Sequence, residues 1–409
     1  MSLVVLAALA CAPANQQSDS TPSAAAPSAE TPCTPLESRQ ANAPDQRPTF
    51  PGQTRACGVT SNFPLEVTVV ARGLSKPWAV EPLPDGSLLI TEKPGRMRLI
   101  SRDGKLGEPI TGVPKVDDRG QGGLLDVALS PTFDRDRVIF FSYTEPREGG
   151  NGTTVGRADL SEDGRSLTNV RVVFRAMPTY NGTMHYGSRL AFGPDGFLYV
   201  TLGERSDIAI RPQAQQMDSH MGKTIRIDRN GAVPGDNPFA GTGALPGIYT
   251  IGHRNIQSAV FDSRGRLWII EHGPKGGDEV NLLQPGKNYG WPIQSFGEEY
   301  SGQPIATAQT TRPGIVDPVY YWDPVIAPSG AEFYSGDMFP EWRGNLFVGA
   351  LADQRLVRLV IENDRVVGEE HLLTDRGRRI RDVRQGRDGA LYVTTDEANG
   401  EVLRISRRR

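Results

Sequence analysis

From Phe63 to the C-terminus the chain repeats one hydropathy pattern: an apolar run, a turn rich in Asp, Gly, Pro or Arg, then a second apolar run that closes on polar residues. The copies read P-D-G-S-L-L-I-T-E at 84–92, D-R-D-R-V-I-F-F-S-Y at 134–143, P-D-G-F-L-Y-V-T-L at 194–202, S-R-G-R-L-W-I-I-E at 263–271, W-R-G-N-L-F-V-G-A at 342–350 and R-D-G-A-L-Y-V-T-T at 387–395. Short runs rich in branched and aromatic residues between glycine turns predict strands, not helices. Six copies at an irregular spacing of about 45 to 80 residues predict radial sheets with insertions of variable length. The expected fold is therefore all-β, a six-bladed β-propeller with four-stranded antiparallel blades over residues 63–409. Closure is expected where 65–71 meets 391–394 and 402–405, which leaves no free sheet edge. A two-sheet sandwich is the competing architecture, and it has no use for six copies of the turn.

Composition sharpens this picture at a few points. Glycine and proline number 46 and 32 among 409 residues, as expected of many turns and short strands. A formal net charge of −3 supplies no basic field for nucleic acid. No internal run reaches the roughly 18 to 20 apolar residues of a membrane helix. The opening M-S-L-V-V-L-A-A-L-A-C reads as an export signal over 1–11, and A-L-A-C places Cys11 where a bacterial lipoprotein is acylated. The expected location is the periplasm, or the bacterial envelope through a lipid anchor at Cys11. Residues 12–62 read as a disordered tether of Ala, Pro, Ser and Thr followed by an extended arm from Cys33. Cys33 and Cys57 form an even pair that an oxidising compartment would join as a disulfide.

Inner strands of a propeller converge on a central channel, so polar residues at their ends are the candidate site residues. The chain supplies Q-G-G-L-L-D at 121–126, H-Y-G-S-R-L at 185–190, G-H-R-N at 252–255, E-H-G-P-K-G-G-D-E-V-N at 271–281, N-Y-G-W-P at 288–292 and R-I-R-D at 379–382. His185 sits in the Gly-rich part of the stretch 180–206, immediately before a strand, where an imidazole suits proton transfer. No Cys/His cluster has the spacing of a zinc site, and Ser329 lies in no G-x-S-x-G.

These motifs, in this order, resemble the soluble pyrroloquinoline quinone (PQQ) dependent aldose sugar dehydrogenases of the glucose/sorbosone dehydrogenase family, from about residue 63 to the C-terminus. The resemblance implies PQQ and Ca2+ as cofactors and oxidation of the C1 hydroxyl of an aldose sugar to a lactone. The electrons would pass to an acceptor such as a quinone, a cytochrome or a dye. It makes His185 the catalytic base and Gln121, Arg205, Arg254, Asn255, Arg379 and Arg381 the cofactor contacts. It puts the Gly273 and Pro274 carbonyls on the calcium that also touches PQQ, and Glu279 with the Tyr289 carbonyl on a second calcium. The chemistry agrees: planar guanidinium forks suit a planar tricarboxylate, and calcium takes oxygen ligands.

Three positions depart from the soluble glucose dehydrogenase branch. Met184 stands where that branch has aspartate, Arg205 where it has glutamine, and L-A-D-Q-R at 351–355 where it has a lysine. Two other functions fit the residues: a calcium-dependent propeller lactonase and a non-catalytic ligand-binding propeller. Sugar-facing contacts are expected from loops at 145–155, 206–220 and 296–316. A monomer and a homodimer fit the sequence equally.

Overall fold

The computed structural model describes residues 1, 3, 33–305 and 311–408. The chain divides into a unit Met1–Cys33 and a unit Thr34–Arg409. The export signal, Cys11 and the tether fall on the first unit and, except for Met1 and Leu3, lie outside the described residues. Cys33 and Cys57 are both disulfide-bonded.

Among the described residues the second unit holds six antiparallel sheets. Blade 1 is Pro77–Pro82, Leu88–Glu92 and Arg96–Ile100; its fourth strand is reduced to a bridge between Ile100 and Leu106. Blade 2 is Leu124–Leu129, Val138–Arg147, Gly150–Leu160 and Leu167–Arg175. Blade 3 is Gly187–Phe192, Leu198–Leu202, Lys223–Ile227 and Ile248–Ile251. Blade 4 is Ile256–Phe261, Leu267–Glu271, Asp278–Leu282 and Tyr320–Trp322. Blade 5 is Pro328–Phe333, Leu346–Ala350, Arg355–Glu362 and Arg365–Leu372. Blade 6 takes Ile380–Gln385, Leu391–Thr395 and Gly400–Arg407 from the C-terminus and Leu65–Leu74 from the start of the domain. Leu65 pairs with Arg407 and Leu74 with Gly400, the expected closure. The first strand of each blade packs against the first strand of the next, and blade 6 meets blade 1, so the ring is complete.

The second strand of each blade explains why the hydropathy runs look continuous. Successive side chains leave opposite faces of a strand, and here both faces are covered by a neighbouring blade. In V-I-F-F, Ile139 and Phe141 join the core shared with blade 1, while Val138 and Phe140 join the core shared with blade 3. Hydroxyls tie adjacent blades: Thr91 donates to the Leu125 carbonyl, Ser142 to that of Ser188 and Ser329 to that of Ile380.

A register shift interrupts the pairing of the innermost strand in every blade, between Pro77 and Ala79, Leu124 and Val127, Ile256 and Ser258, Pro328 and Ala331, and Ile380 and Asp382, and opposite Val200–Leu202 in blade 3. Such bulges bend a strand and re-aim its side chains. They fall at the ends of the inner strands from which the candidate site residues project. Residues expected as a loop at 145–155 are instead the closing hairpin of blade 2, Arg147 pairing with Gly150. Residues 34–62 run along blades 4 and 5: Gly58 bridges Glu369, the Gln53 amide donates to the Pro318 carbonyl, and Arg55 to the Asp323 carbonyl.

Candidate active site

The site forms where inner strands begin and second strands end. His185 precedes the strand Gly187–Phe192 with a left-handed backbone, φ 47°, a conformation that costs a side-chain-bearing residue roughly 1–2 kcal/mol. Its surroundings hold it there. The His185 amide donates to Gln121 Oε1 at 2.8 Å, and Gly203 passes so close that a Cβ would stand 2.2 Å from the His185 carbonyl oxygen. Arg205 spends its donors on the same loop: Nη2 reaches Asn151 Oδ1 and the Gly182 carbonyl at 2.7 Å each, and Nε the Met184 carbonyl at 3.1 Å. Its guanidinium lies 4.1 Å from the centre of the Tyr186 ring.

Glu204 orients the imidazole, a role the sequence did not assign. His185 Nδ1 lies 2.6 Å from Glu204 Oε1, and both side chains are buried. Burial, then the charges of Arg254, Arg205 and Arg211, hold the His185 imidazole well below its ordinary range, so it is neutral at pH 7. Burial pushes Glu204 up to about 7 although Arg254 and Arg211 oppose the rise. Once ionised, Glu204 accepts from Nδ1–H and leaves the Nε2 lone pair free, the form a general base requires. Met184, beside His185 in sequence, is exposed and takes no part. One signal for Glu204 was present: His253 Nδ1 meets Glu271 Oε1 at 2.9 Å one blade on, with a separation of 18 residues against 19 for His185 and Glu204.

Beside His185 opens a cavity of about 520 Å³, whose lining includes Gln121, Tyr186, Gly187, Asn255, Arg379 and Arg381. Four of the predicted cofactor contacts therefore share one space, while Arg205, Arg254 and the predicted base His185 lie outside its lining, His185 adjoining it through Gln121 and Tyr186. Lys76 and Lys93 add two more cations to the wall, and Asp396 is its single carboxylate. Asp396 lies 2.9 Å from both Arg379 Nη2 and Arg381 Nη2. Against burial, Arg381 and Arg379 hold Asp396 down to about 2, so it is ionised and offsets only one positive charge. Asn255 is buried, its Nδ2 has no partner among the described residues, and Trp78 contributes a flat ring backed by Arg189 at 4.1 Å. A planar polyanion matches this wall: excess positive charge, an unused buried amide donor and an aromatic face.

The predicted metal residues converge separately. Gly273, Pro274, Glu279 and Tyr289 all line a second cavity of about 10 Å³, room for roughly one water-sized species. Burial and the neighbouring Glu271, Asp317 and Asp278 push Glu279 well above the usual carboxylate range. Gln294 Oε1, on the same cavity, and Asn281 Oδ1 are buried acceptors without a donor. Among the described residues no group of three or more His, Cys, Asp or Glu side chains is disposed to hold a metal, so a cation here must also draw on carbonyls. Crowded oxygens short of donors fit a hard cation such as calcium. The Gly273 carbonyl already faces a positive charge, because Arg254 Nη1 donates to it at 2.5 Å. His272 lies between the two cavities and lines both. Burial holds it down to about 3, and its neutral ring donates from Nε2 to the Pro328 carbonyl at 2.6 Å.

A closed six-bladed propeller, with a buried neutral histidine behind the wall of a cationic cavity and an oxygen-rich pocket nearby, defines the class of this protein. Its residues 74–404 match the Glucose / Sorbosone dehydrogenase family, and the chain belongs to it. It is 44% identical over 349 residues to the aldose sugar dehydrogenase YliI of Escherichia coli, a match spanning 84% of this chain and 93% of that one. A crystal structure of a glucose dehydrogenase superposes with a TM-score of 0.81 at 47% identity, over 83% of this chain and 99% of that one. The PQQ-bound aldose sugar dehydrogenase of Streptomyces coelicolor gives 0.69 at 28% identity, over 85% and 100%.

Proposed function

We propose that the protein is an exported aldose sugar dehydrogenase that uses PQQ and Ca2+, with residues 63–409 as its catalytic domain. The observation that carries this reading is a 520 Å³ cavity walled by Arg379, Arg381, Lys76 and Lys93, whose lining includes Gln121 and Tyr186, the residues that hold and follow the neutral, Glu204-oriented His185. When bound, PQQ supplies a two-electron hydride acceptor and calcium a Lewis acid for its carbonyl.

The chain's own residues do the rest. Arg379, Arg381 and the free Asn255 amide bind the cofactor's carboxylates and carbonyls, and Trp78 offers its face. Gly273 and Pro274 would offer their carbonyls to the cation, and Arg254, which donates to the Gly273 carbonyl, would add positive charge beside it. Glu279 and the Tyr289 carbonyl, which line the same small cavity, would add oxygens to that cation. Gln121 and Arg205 fix the 182–186 loop, so Arg205 acts on His185 through the backbone and not on the cofactor. His185 Nε2 takes the proton of the sugar C1 hydroxyl as the C1 hydride leaves, which yields the lactone. Glu204 stabilises the imidazolium so formed.

The test is dye reduction by purified protein supplied with PQQ, Ca2+ and a panel of aldoses. Reduction that needs all three components is the expected result. Lactone hydrolysis that needs calcium but not PQQ would replace this reading with the lactonase, and absence of both activities with a ligand-binding propeller.

A further inference from the structure

Two cations of the cavity wall, Lys76 and Lys93, have no task in the proposed reaction. Lys93 follows the second strand of blade 1, Leu88–Glu92, and its backbone is pinned on both sides. Its amide donates to the Lys76 carbonyl at 3.0 Å and its carbonyl accepts from the Leu124 amide at 2.9 Å. Gly123 crosses so closely, with φ 141°, that a Cβ there would stand 2.1 Å from the Lys93 carbonyl oxygen. The second glycine of Q-G-G thus exists to let Lys93 sit where it does, beside Gln121. The Lys93 ammonium makes one hydrogen bond among the described residues, to the Asp118 carbonyl at 2.7 Å. An ammonium has three donors, so two remain for the cavity it lines with Arg381 and Asp396. Burial, then the charge of Lys76, lowers the Lys93 pKa, so an anion brought into the cavity relieves a repulsion already present.

We propose that Lys93 is a further cofactor-binding residue, its ammonium taking a carboxylate of the anionic quinone on the blade 1 wall of the cavity. The proposal rests on the reading of that cavity as the PQQ site. Lys93 contributes charge at a fixed position and Asp118 only steadies the side chain. A purely structural lysine, by contrast, would matter through its bond to Asp118, which a neutral amide also makes.

The test is PQQ binding without sugar, followed by quenching of tryptophan fluorescence in the presence of Ca2+ at two salt concentrations, with thermal melting of each variant as the check on folding. Lys93→Gln is expected to weaken binding at least tenfold and to flatten its salt dependence, and Lys93→Arg to bind within threefold of wild type. Wild-type affinity in a folded Lys93→Gln protein would overturn this proposal alone, and so would equal weakening by Gln and Arg. Failure of the wild-type protein to bind PQQ at all would overturn the cavity assignment and this proposal with it.

Discussion

Glu204→Gln keeps the size of the side chain and one acceptor oxygen, removes its charge and replaces the second oxygen with an NH2 donor. In the native protein burial lifts this carboxyl from 4.5 to about 7; at 1.36 kcal/mol per unit, holding it ionised costs about 3 kcal/mol. The folded state therefore binds a proton more tightly than the unfolded chain, so this stability is fully present below pH 4.5 and is lost as pH rises through 7. Glutamine has no such dependence. In urea melts of the cofactor-free protein, the stability of Glu204→Gln relative to wild type should grow between pH 4.5 and 7 and level off about 3 kcal/mol higher. Catalysis should move the other way. Below pH 7 a protonated Glu204 donates to His185 Nδ1 and leaves the proton on Nε2, so wild-type kcat/KM should rise with pH around 7. In Glu204→Gln the oxygen that accepts from Ser206 N–H can still accept from Nδ1–H, but it carries no charge at any pH. Loss of a charge-assisted hydrogen bond of about 1.5–3 kcal/mol predicts a fall of roughly 10- to 150-fold, with the limb near pH 7 abolished. An unchanged limb in Glu204→Gln, or a stability gap that does not widen with pH, would refute the coupling of the two side chains.

Arg189 is buried between Asp126 and Asp382, 3.0 Å from each; Arg189→Met leaves the two carboxylates to Arg384 alone and should cost about 3 kcal/mol in a urea melt. Gly123→Ala forces a Cβ to 2.1 Å of the Lys93 carbonyl, and should lower both the melting temperature and the affinity for PQQ, whereas Gly149→Ala, with open space around it, should leave PQQ affinity unchanged. Calcium should raise the melting temperature of the wild-type protein, and chelation should reverse it. In Glu279→Gln, which removes one carboxylate oxygen from the small cavity, the calcium-induced shift should shrink.

The fold was legible because the six turn-and-strand copies are local features, and every strand that follows a turn is buried on both faces. The partners of His185 were not legible in the same way. Gln121, 64 residues away, holds the His185 amide, and Glu204 reaches its ring only because blade 3 folds the end of one strand back beside the start of another. Nor does the sequence show that the Arg205 guanidinium donates to Asn151 and to the Gly182 and Met184 carbonyls. Lys93, Asp396 and Trp78 were passed over, because they line the cavity through where the blades bring them and not through their neighbours in the chain. The four residues expected to hold metal could be named as a set because E-H-G-P through N-Y-G-W-P is nearly contiguous, and they share one small cavity. The tenancy of the Gly273 carbonyl by Arg254 was not legible, since it depends on one rotamer.

The central claim is that His185 takes a proton from a sugar oxidised in the adjoining cavity. A single-turnover experiment tests it most directly: wild type and His185→Ala are loaded with PQQ and Ca2+, mixed with an aldose without dye, and the absorbance of the bound cofactor is followed. The account predicts stoichiometric reduction in wild type, and in His185→Ala equal PQQ binding with reduction slowed by roughly 10²–10⁴-fold. Reduction at the same rate in both proteins would contradict it.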